Sequence, residues 1–249
     1  LFRSDKVRVV HAGCGVNALS GLQKSCQFNI LQDHVGLISV AHQAVLRLSS
    51  VSNIVDMKTT HTALPFAGHT LHFVEFDPAS FREQDLLWLP HYAQLQHAGR
   101  KRKTEHLAGR IAAVYALREY GYKYVPAIGE LRQPVWPAEV YGSISHCGTT
   151  ALAVVSRQPI GIDIEEIFSV QTARELTDNI ITPAEHERLA ECGLTFSLAL
   201  TLAFSAKESA FKASKIQAAQ GFLDYQIISW NKQRIIIRLE DEQIGRAHV

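Results

Sequence analysis

The chain has 249 residues, 47% of them hydrophobic, and a formal net charge of +1. That is enough apolar material to bury a sizeable core, and too little net charge to draw the whole molecule onto nucleic acid or a membrane surface. The longest apolar runs, such as LALTLAF, fall short of the roughly 20 residues a spanning helix needs, and LFRSDKVRVV lacks the apolar stretch of a secretory signal. Cys14, Cys26, Cys147 and Cys192 are scattered without a C-x-x-C pair. This predicts a reduced cytoplasmic protein, with loose membrane association as the alternative location. His146 and Cys147 are adjacent, but neighbours on a strand point to opposite faces, which argues against a nucleophile and its base.

In chain order, VRVVHAGCGVNA reads as a strand followed by Gly13-x-Gly15-x-x-Ala18, with Asp33 downstream, the outline of a dinucleotide fingerprint. No repeated strand-helix units follow, so a Rossmann fold is not predicted. The single methionine is Met57. Residues 1–56 are predicted to be a non-native or poorly ordered extension that supplies neither ligands nor core. LHFVEF (71–76) alternates like a strand, and residues 103–121 read as a helix with Leu107, Ile111, Val114 and Tyr115 on one side and Gly121 as its stop. A loop with Pro126, Pro134 and Pro137 follows. SISH, TALAVVS and GIDIEE then read as successive antiparallel strands. Thr182, Pro183 and Glu185 form a capping box that opens a short helix ending at Gly193. A longer helix is predicted over 195–216, then a hairpin of YQIISW and RIIIRL about Asn231-Lys232. The tail after Leu239 completes no element, and the C-terminal half is expected to be truncated. The fold class is α+β, with two similar halves of antiparallel strands packed on helices, over residues 57–159 and 160–249.

Two stretches carry chemistry. In GIDIEEI, period two places Asp163 and Glu165 on one face, where two carboxylates repel unless they are solvated or share a cation. In FSAKESAFKA, at about 100° per residue, Glu208 falls on one arc with Leu200, Phe204 and Phe211, so a carboxylate sits within the apolar stripe. The bland reading is a solvated Glu208–Lys212 pair. The sharper one adds Glu208 to Asp163 and Glu165 as three hard oxygen ligands suited to Mg²⁺.

Gly161-Ile-Asp163-Ile-Glu165, followed by Lys207-Glu208-Ser209-x-x-Lys212, resembles the paired signature of the 4'-phosphopantetheinyl transferases. PVWPAEVYGSISHCG and RKTEHLAGRIAA resemble upstream segments of the same superfamily, especially of members that prime siderophore-making peptide synthetases. Phe204 stands where the family often has Trp. The resemblance implies transfer of 4'-phosphopantetheine from coenzyme A to a serine of an apo aryl or peptidyl carrier domain, by a monomer. It implies Mg²⁺ on Asp163, Glu165 and Glu208, Glu208 as general base, Lys212 on the departing phosphate and Lys207 as nearby positive charge. It further implies that Arg102, Arg110, Arg132, Ser145 and His146 hold the nucleotide end, with Asp163, Lys207 and Lys212 also facing the coenzyme. A metal-dependent phosphoesterase and a non-catalytic coenzyme A or carrier-binding protein are the alternatives.

Overall fold

The computed structural model describes residues 6–14, 25–32, 55–214, 221–231 and 234–239. Strands β1 (Lys6–Cys14) and β2 (Ser25–Gln32) precede the hairpin β3 (Thr59–Phe66) and β4 (His69–Phe76) and the long helix α1 (Arg100–Glu119). A small hairpin of β5 (Ala127–Ile128) and β6 (Pro134–Val135) leads to β7 (Tyr141–Cys147), β8 (Thr150–Ser156) and β9 (Ile160–Glu166). Helices α2 (Val170–Ile180), α3 (Pro183–Glu191) and α4 (Phe196–Ala213) are followed by β10 (Tyr225–Asn231) and β11 (Arg234–Leu239).

Besides the two-stranded β5–β6 hairpin, the described residues form two larger antiparallel sheets, β3-β4-β8-β7 and β10-β11-β2-β1-β9. Each carries one long helix. On α1, Leu107, Ile111, Ala112 and Leu117 pack with Val74 and Phe76 of β4 and Ala151 and Ala153 of β8. On α4, Leu200, Ala203, Ala206 and Ala210 pack with Ile227, Ile235 and Ile237. Between the sheets, Leu71, Phe73, Leu152 and Val154 meet Ile160, Ile162 and Ile164 in a third apolar cluster. Each buried Val, Leu, Ile or Phe among them contributes about 1.5–3 kcal/mol by leaving water. The expected mixed α+β architecture is what the molecule has.

Three details differ from the sequence reading. First, GIDIEE does not extend the ladder of β7 and β8. It joins the other sheet, pairing with β1. Ser143 and Ser145 of β7 instead receive the β9 backbone: Ile162 N–H donates to Ser143 Oγ at 3.0 Å and Ile164 N–H to Ser145 Oγ at 3.4 Å. Alternate serines thus replace a backbone ladder where the two sheets meet. Second, α2 was not anticipated. Its apolar residues Val170, Ala173, Leu176 and Ile180 recur at helical spacing behind the Ser169 N-cap, a signal the sequence reading passed over.

Third, part of the supposed extension lies inside a sheet. The β1 backbone pairs with both β2 and β9, and β2 with β11. Val55 of the same 1–56 stretch is buried in the core under α1. The reason is the sheet edge: without β1 and β2, β9 and β11 would each present an unpaired row of backbone groups. The Gly13-x-Gly15 outline is no dinucleotide fold, since β1 is bonded antiparallel on both sides. Gly15, Asp33 and the tail after Leu239 lie outside the described residues.

Candidate active site

Strand β9 is buried on both faces, which removes the reading of a wet carboxylate face. Ile162 and Ile164 are fully buried, and Asp163 is only 2% exposed. A buried carboxylate needs donors to replace water, and Asp163 has three. Ser145 Oγ donates to Oδ1 at 2.8 Å, Ser205 Oγ donates to Oδ2 at 2.7 Å, and Lys212 Nζ donates to Oδ1 at 2.7 Å. Lys212 also reaches the Ile162 carbonyl at 3.3 Å and stands 3.9 Å from Glu208. The close approach of α4 that makes this possible runs through Gly161: a Cβ there would collide with the Ser209 carbonyl of the helix backbone.

Glu165 and Glu208 complete the cluster at its open edge. Burial raises the Glu165 carboxyl to about 7, with the negative charge of Asp163 adding to the shift, Lys212 opposing it and Glu208 contributing. The Glu208 carboxyl is also raised, by burial first, with Lys212 opposing and Asp163 reinforcing. Three carboxylates therefore share one lysine, an excess of negative charge that a proton or a divalent cation would relieve. Among the described residues, no three Asp, Glu, His or Cys side chains converge into a ready-made metal cage. The donor set suits Mg²⁺, which takes one or two carboxylates and completes its shell with phosphate and water.

Beside this cluster lies a cleft of about 620 Å³ whose walls include Arg102, His106, Arg110, Arg132 and His146. Arg102 and Arg110 come from α1. Arg110 is anchored, with Nε donating to the Pro126 carbonyl at 2.7 Å and a terminal nitrogen to Ala127 at 3.3 Å. Burial lowers its guanidinium to about 10, where it stays cationic at neutral pH. Arg132 sits on the β5–β6 turn with φ +65°, an uncommon backbone for a residue with a Cβ. His146 Nδ1 lies 3.7 Å from Glu105. A second cleft, about 750 Å³, is lined by Arg132, Pro134 and Ile144, which also line the first, and reaches Trp136, Phe211 and Lys212.

The predicted site residues divide unequally. Arg102, Arg110, Arg132 and His146 meet in the first cleft, while Ser145, Asp163 and Lys212 meet in the buried cluster, with Glu165 and Glu208 at its edge. Lys207 belongs to neither. It is fully buried, and Nζ donates to Glu185 at 2.8 Å and to the Ile180 carbonyl at 2.7 Å. Lys207 and Lys212 are about 140° apart around the helix, so only one can face β9. The apolar stripe of α4 also ends early: Phe211 is 53% exposed. Phe204 packs between Phe168 and Phe222. Cys147 packs against the inter-sheet core while His146 lines the cleft, as strand alternation requires.

A family model described as "4'-phosphopantetheinyl transferase N-terminal domain" matches residues 91–156, and one described as "4'-phosphopantetheinyl transferase superfamily" matches 159–248. The chain belongs to the 4'-phosphopantetheinyl transferase superfamily. The transferase is 92% identical over 189 residues to "Enterobactin synthase component D" of Escherichia coli (strain K12), covering 76% of this chain and 92% of that one. It is 59% identical over 184 residues to the protein of the same name from Salmonella typhimurium, covering 74% and 79%. It is 35% identical over 118 residues to "4'-phosphopantetheinyl transferase Npt" of Nocardia iowensis, covering 45% and 52%. The enzyme's reaction is transfer of 4'-phosphopantetheine from coenzyme A to a carrier serine, leaving 3',5'-ADP.

Sequence reasoning missed Ser205 and His106. Both had a signal in helical spacing: Ser205 lies one turn before Glu208, and His106 lies midway between Arg102 and Arg110. In the run RKRK, the four residues separate by neighbour. Arg100 donates to the Pro78 and Phe81 carbonyls at 2.8 Å, Lys103 bonds Glu83 at 2.8 Å, Lys101 is 3.9 Å from Glu105, and Arg102 lines the cleft.

Proposed function

We propose that this transferase primes the carrier domains of an enterobactin-making peptide synthetase, acting as a cytoplasmic monomer with Mg²⁺. The observation that carries the reading is the 92% identity to enterobactin synthase component D over 76% of this chain and 92% of that one. Arg102, Arg110, Arg132 and His146, in the half spanning 57–159, hold the 3'-phosphate and adenine end of coenzyme A by charge. Ser145 and Asp163 orient Lys212 toward the pyrophosphate, and Lys207 supports the helix from behind.

Asp163, Glu165 and Glu208, in the half spanning 160–249, would hold the metal. When bound, Mg²⁺ neutralises pyrophosphate oxygens during the displacement. Glu208 takes the proton from the carrier serine as its oxygen bonds to the phosphorus of the pantetheine phosphate, and the bond to 3',5'-ADP breaks. A carboxyl raised by burial is a stronger base than an exposed one. Lys212 balances the charge that develops on the leaving phosphate.

The test is incubation with coenzyme A, Mg²⁺ and an apo carrier domain, followed by intact mass of the carrier. Gain of one phosphopantetheine is expected. Release of phosphate from simple esters without a carrier would instead mark a phosphoesterase, and an unmodified carrier with bound coenzyme A would mark a non-catalytic protein.

A further inference from the structure

Behind the cleft, His91 and His106 face each other with Nε2 to Nε2 at 2.8 Å and rings at 81°. His91 is buried, 7% exposed, and lies outside the cleft wall, whereas His106 lines it. Both imidazoles are neutral: burial and then the Arg110 charge hold His91 at about 4, and burial, Arg110, His91, Arg102 and His146 hold His106 at about 3. A neutral imidazole has one N–H, so a direct bond between two of them requires one to donate and the other to accept.

The orphan atom decides which. Among the described residues, His91 Nδ1 is buried without a hydrogen-bond partner, and no atom of His106 shares that condition. A buried N–H left unpaired is rarer than an unpaired acceptor, which places the His91 proton on Nε2. His91 Nε2–H then donates to His106 Nε2, and the His106 proton must sit on Nδ1. On α1, His106 lies one turn from Arg102 and one turn from Arg110, about 6 Å of helix rise on each side. A phosphate bridging those arginines would lie over His106.

We propose that His91 is a positioning residue for coenzyme A: by donating to His106 Nε2 it fixes the His106 ring with Nδ1–H as an uncharged donor to the nucleotide's phosphate. The inference rests on the reading of the cleft as the coenzyme A site. It asks for no charge change in either histidine, and His91 itself touches no substrate.

The experiment measures the His106 tautomer by long-range ¹H–¹⁵N NMR and coenzyme A affinity by calorimetry, without Mg²⁺ or carrier, on the full chain. The parent should show His106 protonated on Nδ1. His91→Phe should lose that signature and weaken coenzyme A about five- to tenfold, the scale of one hydrogen bond. Its turnover at saturating coenzyme A should equal the parent's. His91→Gln, which keeps a side-chain N–H, should recover most of the affinity. An Nε2-protonated His106 in the parent overturns the inference even if His91→Phe fails to fold, as does parental affinity in a folded His91→Phe. Arg102→Ala separates the two levels: if it too binds coenzyme A like the parent, the cleft assignment fails, whereas weakening by Arg102→Ala alone sinks only the role of His91.

Discussion

Helix α4 carries two lysines in ion pairs, and their surroundings differ in access to solvent and in balance of charge. Lys207 and Glu185 are both sealed, at 0% and 1% side-chain exposure. The Glu185 carboxylate also accepts the Thr182 N–H at 2.7 Å and the Ile227 N–H at 2.6 Å, so charge and hydrogen bonds close on themselves. Lys212 and Glu208 are 25% and 27% exposed, and around them three carboxylates face one cation. A closed pair ties α4 to α3 and β10. An open pair with surplus negative charge has valence left for a ligand. That a helical lysine is ion-paired is therefore no guide to function until the pair's balance of charge and access to solvent are known.

The sharpest way to break the comparison is to remove the two strands that join β9 to β11 in the sheet packed under α4. A chain beginning at Met57 loses β1 and β2, which separate β9 from β11 in the five-stranded sheet. Its second half is expected to unfold at a much lower temperature than the parent's, with transfer lost in parallel; an unchanged melting curve and rate would show residues 1–56 to be dispensable. Glu208→Gln should next reduce transfer by about 10²–10⁴-fold, the usual scale for a general base, while melting stays near the parent value. Near-parental turnover at saturating Mg²⁺ would take Glu208 out of the chemistry.

Lys207→Ala should do the converse. It leaves Glu185 buried and uncompensated, at a cost of about 3–5 kcal/mol in denaturant unfolding, yet transfer per folded molecule should survive. If that rate collapsed while stability held, Lys207 would belong with Lys212 after all. The smallest effect concerns pH. Glu165 titrates near 7 in the folded state against 4.5 for an ordinary glutamate, so the folded chain holds a proton that the unfolded chain has released. In metal-free buffer, stability should fall as pH rises from about 4.5 through about 7, and Glu165→Gln should flatten that slope. Mg²⁺ should stabilise the parent more at pH 8 than at pH 6.

Much of this was readable in the residues before the fold was known. The capping box at Thr182, the hairpin about Asn231-Lys232 and the strands over 141–156 rest on local rules, and local rules do not depend on what packs nearby. The alternation of Asp163 with Ile162 and Ile164 and the placement of Glu208 and Lys212 on a helix belong to the same class, because periods of two and 3.6 follow from the backbone alone. Direction was another matter. Lys207 and Lys212 are equally basic and equally helical, and only the positions of α3 and β9 decided that one would be closed by Glu185 and the other opened toward the cleft. The same holds for β9, which left its sequence neighbours because Gly161 admits the α4 backbone and two serines could stand in for a ladder. It holds too for β1 and β2, whose place follows from unpaired edges that no local pattern announces. Sequence determined the elements and the chemistry available on each. Which groups met was settled by packing, since burial, pairing and the loss of water are properties of neighbours far apart in the chain.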